Sequence, residues 1–170
     1  MDAPFMPLRR LSPDNPLLQL DRLAETLAQS RQRREMMALM SFEVEDFEQI
    51  QERCGSEGSA RYLDEVARRT SAALRDRDVV IRLGGEEFLV VASRIGSTAQ
   101  AEAVSRRVLA KVGEPFELDG QWLSPAISLG VALYPDHART PEALVVRCFL
   151  ARQVACGLGK GRYAFAPAHD

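Results

Sequence analysis

The stretch Val79-Val80-Ile81-Arg82-Leu83-Gly84-Gly85-Glu86-Glu87-Phe88-Leu89-Val90-Val91 decides the fold. Two apolar, largely β-branched runs flank a pair of glycines, and glycine supplies the backbone angles that tight hairpin turns demand. The pattern predicts a β-hairpin. Its outgoing strand, Val79-Val80-Ile81, reads as buried on both faces because the run is continuously β-branched. The return strand runs from Phe88 to Val91, and two adjacent glutamates, Glu86 and Glu87, stand at the tip.

Upstream, Met36 to Val44 alternates as a strand. Met40, Phe42 and Val44 share one face, and Ser41, Glu43 and Glu45 share the other. If this strand pairs with the hairpin, Glu43 comes within reach of Glu86. Carboxylates gathered at a sheet edge repel one another unless a cation neutralises them, and Mg²⁺ prefers such oxygens. The bland alternative is a solvated acidic rim.

Helical spacing covers the segments between strands. Leu20, Leu23 and Leu27 predict a first helix closed by Arg31, Arg33 and Arg34. Phe47 and Ile50 mark a short helix, broken at Gly55-Ser56-Glu57-Gly58-Ser59 before a longer one carrying Leu63, Val66, Ala67, Thr70 and Leu74. Ser97 or Thr98 caps a helix with Ala101, Val104, Val108 and Val112. Ile127 to Leu133 is a strand after a turn at Gly120. Thr140-Pro141 opens the last helix, and residues 162–165 form a final strand. The order predicts an α+β fold: a central mixed or antiparallel sheet wrapped by helices.

Residues 1–14, with Pro4, Pro7 and Pro13, read as a tail or linker; 15–166 is one domain, and 167–170 is a C-terminal tail. The 170 residues include 46% hydrophobic residues, enough for a core. The 22 basic and 24 acidic residues give a net charge of −2, which argues against a nucleic-acid binder driven by bulk positive charge. Only Lys111 and Lys160 are lysines, so the other 20 basic residues are arginines, suited to bidentate contacts with phosphates and guanine edges. Cys54, Cys148 and Cys156 show no metal spacing and imply reduced thiols; with no spanning run and no secretory signal, the expected location is cytoplasmic. His137 reads as a surface loop residue, Trp122 as packing, and Cys54 and Cys148 as core thiols.

Beyond the hairpin, Glu43-Val44-Glu45-Asp46-Phe47-Glu48-Gln49-Ile50-Gln51 resembles D-x-D-x-F-K-x-I-N, Ser128-Leu129-Gly130-Val131-Ala132 resembles S-x-G-x-A, and Gly159-Lys160-Gly161-Arg162-Tyr163 resembles G-R-N-x-Y. With Gly84-Gly85-Glu86-Glu87-Phe88, these motifs resemble the GGDEF domain, the diguanylate cyclase family, over about residues 15–165. That family's fold is a sheet wrapped by helices, related to nucleotidyl cyclases. The resemblance implies synthesis of cyclic di-GMP from two GTP held by two facing domains, with Mg²⁺ present when GTP is bound. By matching position, Glu43, Glu86 and the Val44 carbonyl would be metal ligands, and Glu86 and Glu87 would serve the chemistry. Gln51, Phe47 (through the backbone amides of the Asp46–Phe47 turn) and Lys160 would contact GTP.

The departures from the family pattern fall on the grip on GTP. Glu43 stands for Asp. Glu48 replaces a Lys, which reverses charge beside a triphosphate. Gln51 replaces Asn, and Ser59-Ala60 replaces a Gly-Asp pair that would receive guanine N–H groups. Phe149 replaces Asp, Cys156 replaces a phosphate-binding Lys, and an N-terminal D-x-L-T-G-L-P-N-R motif survives only as Asn15. One other motif is intact: Arg75-Asp76-Arg77-Asp78 holds R-x-x-D at the family's spacing for its inhibitory, product-binding site, to which Arg106 is expected to contribute. Arg can donate to guanine O6 and N7, and a carboxylate can accept from N1–H and N2–H. A plain ion pair between Arg75 and Asp78 is the simpler alternative. The expectation is a receptor or regulatory module for cyclic di-GMP that makes little or none of it. Such a module is expected to join other signalling domains or proteins, and its two-fold ligand can link two chains. The alternatives are a working diguanylate cyclase and a docking module that binds no nucleotide.

Overall fold

A nine-residue strand, β1 (Met36–Val44), sits at the centre of the molecule, and its two faces feed two separate cores. The computed structural model describes residues 16–168, so the expected tail at 1–14, together with Asn15 and His169, lies outside the described residues. The element order is α1 (Pro16–Arg33), β1, α2 (Phe47–Ala72), β2 (Val79–Gly84), β3 (Glu87–Ile95), α3 (Thr98–Val112), β4 (Phe116–Leu118), β5 (Gln121–Leu123), β6 (Ile127–Tyr134), α4 (Pro141–Gly157) and β7 (Tyr163–Phe165). The main sheet runs β2-β3-β1-β6-β7, antiparallel except for the parallel pair β6–β7. This is the expected mixed sheet wrapped by helices.

Alternation along β1 sends Ala38, Met40, Phe42 and Val44 into the core shared with α2 and α3, while Met37 and Leu39 enter the core shared with α1 and α4. Both sheet faces are therefore dry, so even Ser41 is fully buried. Phe42 pairs across strands with Phe88, and their rings stack with centroids 4.9 Å apart, worth about 0.5–1.5 kcal/mol beyond the area they bury. Ser97 caps α3 by accepting from the Gln100 amide, and Thr140 caps α4 by accepting from Ala143, with Pro141 in the first turn.

Several expectations change. The outgoing hairpin strand is at the sheet edge, so Val79 and Val80 are half-buried and only Ile81 is fully covered; β-branching fits a strand but does not say how many neighbours it has. The helix break is the single residue Gly55 (φ 71°, ψ −175°), and both flanking segments belong to α2. A small hairpin, β4–β5, stands around Gly120 where only a turn was expected. Trp122, on β5, is 69% exposed rather than packed. His137 is buried rather than on the surface: its Nδ1 accepts from the Leu133 amide (2.9 Å), and burial holds its pKa below the usual imidazole value.

Candidate functional site

Two clusters lie at opposite ends of β3. At the hairpin tip, the antiparallel register sets Glu43 directly across from Glu87, and the Val44 amide donates to the Glu86 carbonyl (3.1 Å). Glu86, the residue before Glu87, is close enough for its charge to act on Glu43. Desolvation raises the Glu43 pKa, and the charges on Glu86 and Glu87 push it the same way, while Arg152 opposes them. The sequence set Glu43 within reach of Glu86; the register places Glu87 directly opposite it, with Glu86 one residue further toward the turn. Glu45 turns toward β6, where the Ser128 hydroxyl donates to it (2.6 Å).

Sequence reasoning missed the cation of this cluster. Arg152 on α4 reaches back to β1 and β3: its Nη2 lies 3.6 Å from Glu87 and 4.0 Å from Glu43, and its Nη1 donates to Ser41 Oγ (3.2 Å). Only the close seat of α4 permits this. A Cβ on Gly130, in β6, would overlap the Cys148 carbonyl and the Arg152 backbone, so the absent side chain brings the helix onto the sheet. The spacing of Gly130 and Arg152 in the chain shows none of this.

The positions expected to hold GTP are scattered in character. Phe47 is buried, with its amide at the start of α2, behind Asp46 in the left-handed conformation (φ 55°, ψ 32°). Gln51 is exposed on the same helix. Lys160 Nζ pairs with the Asp46 carboxylate, so its charge is partly spent at the mouth of that helix. Ser59 is buried, its hydroxyl donating to the Ser56 carbonyl (3.0 Å), and Cys156 is exposed with a thiol pKa raised first by burial. Mg²⁺ at Glu43, Glu86 and the Val44 carbonyl would have to share Glu43 with a permanent guanidinium charge. Among the described residues, no group of three or more His, Cys, Asp or Glu side chains is placed to hold a metal ion. This donor set does not fit a resident Mg²⁺.

At the other end of β3, the Asp78 side chain is 0% exposed and its carboxylate accepts from the Arg75 amide (3.0 Å), Arg75 Nε (3.3 Å) and the Ser93 amide (3.3 Å). Arg75 Nη2 donates to the Ser93 carbonyl (2.8 Å), and its side chain remains 26% exposed. Arg75 is therefore held rigidly with its Nη1 outside this network, and Asp78 acts by holding it. Arg106 does not join them: it bonds Glu102 (2.9 Å) and lies against Tyr163. The neighbouring Arg107, about 100° further around α3, donates to the Ala73 carbonyl (3.2 Å), two residues from Arg75. Arg106 instead borders a surface cavity of about 530 Å³ with Leu109, Ala110, Leu158, Arg162 and Tyr163.

A family model described as "Diguanylate cyclase, GGDEF domain" matches residues 14–151. The diguanylate cyclase TpbB of Pseudomonas aeruginosa is 33% identical over 150 residues, which are 88% of this chain and 34% of TpbB. The cyclic di-GMP phosphodiesterase NbdA of the same organism is 33% identical over 139 residues, which are 81% of this chain and 18% of NbdA. The solved GGDEF domain of TpbB superposes with a TM-score of 0.85 at 32% identity, covering 90% of each chain. This chain thus spans about a third or less of the full-length relatives it matches.

Proposed function

The chain belongs to the GGDEF, diguanylate cyclase family of cyclic di-GMP signalling, and we propose that it serves there as a receptor for cyclic di-GMP rather than as its source. The family typically uses Mg²⁺ and GTP; the ligand proposed here is the product. The observation that carries the reading is the Arg75 corner. A fully buried carboxylate fixes one guanidinium at the rim, with a free Nη1 that can donate to guanine O6 or N7 and a flat face that can stack on the purine. Asp78 is spent on Arg75, so its part is positioning. Arg107 takes the place expected of Arg106, because it is the arginine that α3 turns toward the end of α2. A cyclic dinucleotide has two-fold character, so the same ligand can join two such corners from two chains, in the cytoplasm and alongside other signalling domains.

The synthase side is weakened in parallel. Glu48, Ser59-Ala60, Phe149 and Cys156 each remove a charge or hydrogen-bond partner from a triphosphate or guanine. A lost partner costs about 1–3 kcal/mol each, without simple additivity. The alternative, a working cyclase, is favoured by one observation: Glu43, Glu86 and Glu87 do meet at the hairpin tip. The nucleotide-free docking module is favoured by another: Val146, Leu150 and Val154 on α4, with Leu158 just past its end, form an exposed apolar stripe.

Calorimetric titration with cyclic di-GMP separates the three. Binding by the wild-type chain and loss of at least about tenfold affinity in Arg75→Ala is the expected result. Unchanged affinity in that variant places the ligand elsewhere, and no heat in either protein favours docking. Repeated turnover of GTP to cyclic di-GMP with Mg²⁺ overturns the receptor reading in favour of the cyclase.

A further inference from the structure

We propose that Arg152 is a built-in counter-ion for the carboxylate end of the sheet, supplying from within the chain the positive charge that a divalent cation would otherwise bring. Glu43 and Glu87 stand directly across adjacent antiparallel strands, and like charges in that relation are destabilising unless neutralised. A proton, a metal ion or a side chain can do this. The structure supplies a side chain.

Arg152 is no incidental surface neighbour. Its side chain is only 13% exposed. It contacts Glu87 on β3, and Glu43 and Ser41 on β1, and its guanidinium lies 5.0 Å from the Phe149 ring centroid. Ser41 is fully buried beneath it. The helix carrying Arg152 is seated at backbone contact with β6 by the missing side chain of Gly130, so the charge is delivered by the fold rather than by a flexible reach. A guanidinium also keeps its charge at every working pH, so it cannot step aside by losing a proton. A divalent ion drawn to Glu43 must displace it or sit beside it, and charge repulsion over a few ångströms in a half-buried site weakens metal binding. The inference does not rest on nucleotide binding at Arg75.

The test uses the 170-residue chain and Mn²⁺ alone, with free Mn²⁺ followed by electron paramagnetic resonance. The wild-type protein is expected to bind Mn²⁺ weakly. Arg152→Met is expected to bind one Mn²⁺ about tenfold or more tightly, and adding Glu43→Gln to that variant is expected to remove the gain. If Arg152→Met does not fold, Arg152→Met/Glu87→Gln removes the opposed charge together with the guanidinium and is still expected to exceed wild type. Mn²⁺ binding by the wild type as tight as in the variants overturns the proposal. Variants that gain nothing overturn it equally, because the guanidinium then does not compete with metal. Since no nucleotide is present, neither outcome bears on the Arg75 site.

Discussion

At one end of β3, Ser93 closes a corner where one arginine meets one carboxylate; at the other, Glu87 belongs to a corner where one arginine faces two carboxylates directly and a third nearby. The two lie six residues apart along the strand, about 20 Å at ~3.3 Å per residue. In the first, the carboxylate is wholly buried and accepts three hydrogen bonds, so its charge is matched and its geometry is fixed. In the second, the acids outnumber the cation and remain partly exposed, so the corner stays sensitive to protons and ions. A matched corner can present a guanidinium as a rigid contact surface. An unmatched one answers to its surroundings.

The largest effect that would break the comparison is at Gly130. Gly130→Ala drives a Cβ into the backbone of α4, and overpacking of this kind costs about 3 kcal/mol or more, or roughly 6–12 °C in thermal midpoint for a chain of this size. It displaces Arg152 while leaving the Arg75 corner in place. A thermal melt unchanged from wild type would show that the helix is not seated as described. Next comes Asp78→Ala, which empties the buried partner of Arg75; losing one member of a buried charged pair costs about 2–4 kcal/mol, less than the full penalty because Arg75 can turn to solvent. Chemical denaturation measures it, and a loss under ~1 kcal/mol would reduce that corner to an ordinary surface pair.

Smaller effects sharpen the contrast. Arg107→Ala is expected to weaken cyclic di-GMP binding about five- to tenfold by calorimetry, and Arg106→Ala to leave it unchanged, following the faces of α3 on which they stand. The reverse result would restore Arg106 to the site. The smallest is a titration. With its folded pKa above the ordinary 4.5, Glu43 holds its proton more tightly in the folded chain, so its contribution to stability is present at low pH and declines as pH rises through the folded value. Glu65 runs the other way. Hydrogen bonds from Arg68 and Arg69 hold it at about 2, so its contribution is present above about 4.5 and is lost as pH falls toward 2. Carboxyl carbon resonances followed by NMR report both, and Glu43 moves higher still in Arg152→Met. A Glu43 midpoint at or below 4.5 would contradict the crowding of the three acids.

Local period carried much of the reading. The amphipathic helices, the alternation of β1 and the glycine hairpin are each written within a dozen residues, and pairing two of them brings Glu43 to the hairpin tip, opposite Glu87. Features that depend on distant neighbours were not legible. Val79-Val80-Ile81 looks the same at an edge as at a centre, and three-residue strands such as Phe116–Leu118 are too short to show a period. Arg106 and Arg107 differ by one step of helical phase, which only packing against α2 decides. Arg152 meets Ser41 across 111 residues, and no spacing rule connects a helix residue to a glycine in the preceding strand.

Because α4 meets β6 at Gly130 with no side chain between them, whatever residue stands at position 152 is delivered to the acidic tip of the sheet, whatever its chemistry. One codon there sets whether the tip brings its own positive charge. The scaffold around it need not change, so the sign of the charge facing Glu43 and Glu87 lies a single substitution away.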